Sequence, residues 1–96
     1  MKKSANQLTF KDMFDEARKH PEYWLAGFKI NLACDVAEVM KQKNINIVRA
    51  AEKSGLHRNT VAKFLQGGTI RITNLFRLVH SLGYTIEPKL IKLRLS

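Results

Sequence analysis

Apolar residues along this 96-residue chain recur mostly at three- and four-residue spacing, which predicts helices. Phe10, Met13, Phe14 and Ala17 form the first stripe, with Thr9 as its cap and Asp12 at the third helical position. Pro21 disfavours helical geometry at His20, so that helix stops, and the ring then suits the first turn of the next. Leu25, Phe28, Leu32, Val36, Val39 and Met40 carry a second stripe from Pro21 to about Lys43. Gly27 and Asn31 are weak helix formers and allow a break near them. Lys41 and Lys43 complement the dipole at the far end, where Asn44 can terminate the helix. Short helices follow over 47–53 and 57–65, the first turned by Gly55 and the second closed by Gly67 and Gly68. A last helix covers about 73–82, with Leu75, Leu78, Val79 and Leu82 inward and Gly83 at its end. Beyond it the period changes. Ile91, Leu93 and Leu95 alternate with Leu90, Lys92 and Arg94, as in an edge strand whose pairing Pro88 limits. The chain is therefore predicted to be all-α with a short C-terminal β-strand.

Two of these helices are close enough to form a functional unit. A helix-turn-helix needs two short helices crossing steeply, so that one can lie in a DNA major groove. Close crossing requires a small residue on the first helix, and Ala51 supplies it. Gly55, four residues on, accepts the positive φ of a tight turn. Leu56 plugs that turn, and Val61 with Phe64 anchors the second helix. Ser54 departs from the pattern, because a larger apolar residue would usually fill the interface there. With the anchors inward, His57, Arg58, Asn59, Thr60 and Lys63 form the exposed leading end of the second helix. Arg pairs with guanine through two acceptors, and Asn pairs with adenine through an acceptor and a donor. Thr60 and the helix N-terminal amides suit a phosphate. On an arbitrary basic helix these side chains would be only a solvated face; the leading end of a recognition helix favours DNA contact. Arg49 and Lys53 are candidates for the DNA backbone. Gly67 and Gly68 would let amides approach a phosphate, with Arg71 adding charge, or they form an ordinary loop.

Charge sharpens this picture. The net charge is +9, and residues 44–96 carry nine basic side chains against Glu52 and Glu87 alone. The polyanion-seeking half is thus the one that holds the helix-turn-helix. No apolar run approaches the ~20 residues of a spanning helix, and no signal segment follows Met1-Lys2-Lys3. The single cysteine excludes an internal disulfide and suits a reducing cytosol, so the expected location is cytoplasmic. Cys34 is read as a small buried hydrophobe.

The run from Ala50 to Gly68, Ala-Ala-Glu-Lys-Ser-Gly-Leu-His-Arg-Asn-Thr-Val-Ala-Lys-Phe-Leu-Gln-Gly-Gly, resembles the helix-turn-helix of Xre-type (Cro/repressor-like) regulators. Asn74 to Tyr84 is similar to the helix that closes their five-helix fold. The likeness spans about residues 30–86. The His20-Pro21-Glu22-Tyr23 entry and the extended tail are similar to HigA-like antitoxins. The resemblance implies a five-helix repressor-like domain over 30–86, a basic arm and helical extension over 1–29, and a tail over 87–96 as a candidate dimerisation strand. It further implies a homodimer on a two-fold operator, autoregulation, and, in the antitoxin subgroup, neutralisation of a toxin protein. Carried over by position, Arg58, Asn59 and Lys63 match base-reading sites; His57, Thr60 and Arg71 match phosphate-side sites.

Other features carry less. Tyr23, Trp24 and Phe28 either pack the extension onto the main body or form an apolar patch that docks a second protein. An unpaired tail strand would invite a second copy. His20, His57 and His80 lack metal-ligand spacing, Asp12, Asp15 and Glu16 resemble a solvated helix face, and no phosphate-cradling motif is present. The chain is predicted to be a non-enzyme without cofactors. Coating of nucleic acid without sequence preference would call for exposed aromatic platforms, whereas the aromatics occupy packing positions.

Overall fold

The computed structural model describes residues 10–93, an all-α bundle of five helices. They run in the order α1 (Phe10–Ala17), α2 (Pro21–Gln42), α3 (Ile47–Ser54), α4 (Arg58–Leu65) and α5 (Ile72–Ser81). Thr9 and the side chains of Phe10 and Phe14 fall outside the described set. α1 lies wholly in the N-terminal extension, so the helix-turn-helix region itself is built from four helices, α2 to α5. α2 is continuous through residue 30 and is broken at neither Gly27 nor Asn31. At 22 residues it reaches about 33 Å. The cost of Gly27, about 1 kcal/mol, is absorbed by the turns on either side.

The core is formed by Ala33, Val36 and Met40 of α2, Ala50 and Ala51 of α3, Val61 and Phe64 of α4, and Leu75, Leu78 and Val79 of α5, with Leu82 beyond it. Leu32, Val39, Ile45, Leu56, Leu65, Ile70 and Ile86 pack around it. Burial in α2 begins only at Ala33, which corrects the expectation of one inward stripe along the whole helix. Leu25 and Phe28 remain 53% and 57% exposed, and Met13 of α1 is exposed as well. Cys34 is also exposed, contrary to expectation. Ala33 takes the inward position, and the next residue is turned about 100° away from it.

Four of the helices end in one way. The residues in the left-handed region are Asn44, Gly55, Gly67 and Gly83, each just past a helix. In each case the following amide reaches back to a carbonyl five residues earlier: Ile45 to Met40, Leu56 to Ala51, Gly68 to Lys63, and Tyr84 to Val79. These are Schellman endings, which satisfy the orphan carbonyls of the last turn. Among the described residues, α3 and α4 start on a side-chain cap. The Arg49 amide donates to Asn46 Oδ1 at 2.8 Å, and the Asn59 amide donates to His57 Nδ1 at 3.1 Å.

After α5 the described residues 84–93 form no regular secondary structure. Ile86 packs on the core, while Leu90, Ile91 and Leu93 are exposed. No strand is present among the described residues, and Arg94 and Leu95 of the anticipated strand lie outside them. No described helix is long and apolar enough to cross a membrane.

Candidate nucleic-acid interface

The unit that presents the candidate side chains is α3, the turn Gly55-Leu56-His57, and α4. Ala51, 4% exposed, lets α4 approach α3 closely. Val61 and Phe64, one turn apart on α4, are 0% and 2% exposed and fix that helix against the core. Burying side chains of this size contributes about 1.5–3 kcal/mol each. Gly55 has φ of 74°, a conformation that costs other residues about 1–2 kcal/mol. Leu56 is half-buried over the turn. Ser54, the departure from the apolar pattern, is half-buried, and its hydroxyl donates to the Ala50 carbonyl at 2.7 Å, within its own helix. Among the described residues no buried side-chain nitrogen or oxygen is left in need of a partner.

Helical geometry then dictates what faces outward. Arg58, Asn59 and Lys63 are exposed, and Thr60 is half-buried. Asn59 and Lys63 lie one turn apart on the face opposite Val61 and Phe64. Gln66, exposed and seven residues after Asn59, continues the same face. It was not among the expected residues, although its spacing from Asn59 and Lys63 is readable in the sequence. Arg49 and Lys53 are exposed on α3, where Arg49 also meets Glu52 at 3.5 Å. Arg71 is exposed at the start of α5. No charged side chain is buried among the described residues.

Two expected roles change. The Gly67 and Gly68 amides are spent on the Phe64 and Lys63 carbonyls, both at 2.9 Å, and are therefore not free for a phosphate. Gly68 has a different requirement: an added Cβ would lie 2.8 Å from the Lys63 carbonyl oxygen. His57, placed in the helix by the sequence, instead precedes it as the cap of α4. Asn, Asp, Ser and Thr are the usual cap residues, so a histidine gave little signal.

The N-terminal half of α2 meets the loop that follows α4. Lys29 Nζ donates to Thr69 Oγ1 at 3.0 Å, and Ile30 lies beside Gly67. No sequence signal links residues 40 apart. Trp24 does not enter the core. Its indole donates to the Arg18 carbonyl at 2.9 Å, and its ring meets Tyr23 edge-on. No group of His, Cys, Asp or Glu that could hold a metal occurs among the described residues.

Comparison with known families gives one result: a family described as helix-turn-helix matches residues 36–88, more than half of the chain. No curated protein and no solved structure gives a significant match.

Proposed function

From a chain that belongs to the Xre/Cro-type helix-turn-helix family, a regulatory and non-catalytic one, we propose a sequence-specific transcriptional repressor that binds DNA as a homodimer. The observation that carries this reading is the division of α4. Val61 and Phe64 hold the helix to the core, while Arg58 and Asn59 are exposed in its first turn and Lys63 in its last. Arg58 then reads guanine, Asn59 reads adenine, and Lys63 and Gln66 extend the reading along the groove. Thr60, Arg71, Arg49 and Lys53 take the phosphate side. A single recognition helix reads too few base pairs for a useful specificity ratio, which argues for two copies on a two-fold site. The exposed Leu90, Ile91 and Leu93 of the tail are the candidates for pairing them.

The test is selection from a random duplex library, followed by anisotropy titration of the selected duplex and a scrambled one at two salt concentrations. The selected duplex should be preferred by at least ~4 kcal/mol. Arg58→Ala and Asn59→Ala should each remove ~1–3 kcal/mol of that preference and leave scrambled-duplex binding largely intact. Equal binding of both duplexes, untouched by either substitution, would leave only a basic surface.

A second reading, an antitoxin that blocks a toxin protein and regulates its own operon, is favoured by one observation. Tyr23, Trp24, Leu25 and Phe28 are exposed together outside the core. Co-expression with the product of an adjacent small reading frame tests it. A complex that is lost on Leu25→Asp with Phe28→Asp supports this reading, and the absence of a complex removes it.

A further inference from the structure

The cap of α4 is a histidine side chain, and the amide it holds belongs to Asn59, an expected base-reading residue. His57 itself is extended, with φ of −71° and ψ of 143°, so its ring folds back over the first turn of the helix. Its Nδ1 lies 3.1 Å from the Asn59 amide. Its carbonyl accepts the Thr60 amide at 3.0 Å and the Val61 amide at 3.3 Å. One residue thus engages three consecutive amides at the leading end of α4. An imidazole nitrogen that accepts a hydrogen bond carries no proton, so the neutral ring must hold its proton on Nε2.

We propose that His57 is a positioning residue for base reading, acting through the backbone of Asn59 rather than on a DNA phosphate. This rests on the reading of α4 as the recognition helix. Arg58 and Asn59 occupy the first turn, where a helix frays first and where four amides have no intrahelical partner. A frayed first turn must be ordered on binding, and a bidentate contact to a base demands a fixed backbone. The Nδ1 cap supplies that order in the free protein. A phosphate contact would behave differently, because it positions without carrying sequence information.

His57→Asn and His57→Ala separate the two roles. Asn accepts an amide bond at a helix start as well as any residue, whereas Ala accepts none. Each is titrated against the library-selected duplex and its scrambled counterpart, with wild type alongside. The expected result for His57→Ala is a fall of roughly three- to thirty-fold in preference for the selected duplex, the size of a lost cap. Scrambled binding should hold, and His57→Asn should restore the preference. A loss shared equally by both variants and both duplexes would assign His57 to a phosphate and overturn the proposal. A wild-type preference retained by His57→Ala would overturn it as well.

Two measurements on the free protein keep the inference apart from the DNA reading itself. At a pH of about 8, where an ordinary imidazole is neutral, the ring ¹⁵N shifts of His57 should show the proton on Nε2. The Asn59 amide should exchange faster in His57→Ala than in wild type or His57→Asn. A proton on Nδ1, or equal exchange in all three, rejects the cap whatever happens on DNA. Absence of any wild-type duplex preference would instead reject the parent reading.

Discussion

Residues 33–86 and residues 10–32 contain similar kinds of amino acids and use them in opposite ways. The first region buries eleven apolar side chains in one core, although Val48, Ile72 and Phe76 stay exposed, and it ends each of its helices with a left-handed residue. The second is just as helical, yet it buries none of its described side chains and leaves Met13, Leu25, Phe28 and Ile30 exposed. Leu32 packs against the core at the junction, and Lys29 and Ile30 reach the loop that ends α4. The family match starts at Val36, close to where burial starts. Apolar periodicity therefore shows that a face exists; whether that face is covered depends on what the rest of the chain can reach.

The sharpest way to break this comparison is to remove one phenylalanine from each region. Phe64→Ala should cost about 3–5 kcal/mol, a large share of the about 5–15 kcal/mol that a small domain holds. Phe28→Ala should change the unfolding free energy by no more than ~0.5 kcal/mol. Urea unfolding of both variants decides it, and equal losses would mean that the extension shares the core.

The next effect concerns the two turns that frame α4. Gly68→Ala should cost about 1–3 kcal/mol, since the new methyl meets a backbone carbonyl that cannot yield. Gly55→Ala should cost about 1–2 kcal/mol, from its positive φ alone, since nothing lies within 4 Å of the added carbon. Thermal melts would rank them, and a neutral Gly68→Ala would contradict the close approach. The smallest effect is at the bridge. Lys29→Met with Thr69→Val should show a coupling of at most ~1 kcal/mol in a double-mutant cycle, because the bond is exposed. A larger coupling would make the extension a structural part of the domain.

Much of this was legible in the sequence. Asn44, Gly55, Gly67 and Gly83 mark the helix ends because few residues accept a positive φ, and Pro21 marks the start of α2 for an equally local reason. Ala51, Val61 and Phe64 could be placed by periodicity, since each lies on a helix with one inward face. What stayed hidden depended on long-range packing or on competition for one group. Leu25 and Phe28 continue the period of α2, but nothing in their neighbourhood says where the other helices stop. Gly67 and Gly68 looked suited to a phosphate until their amides were found committed to ending α4. His57 was legible as a member of the leading end, though not as the residue that caps it. The bridge between Lys29 and Thr69 had no signal at all.

The central claim is that α4, and not the exposed extension, meets DNA. Hydrogen–deuterium exchange of the full chain, with and without the library-selected duplex, tests it most directly. New protection is expected over residues 57–66 and at Arg71, with residues 10–28 unchanged. Protection confined to residues 10–28, with 57–66 exchanging as in the free protein, would contradict it.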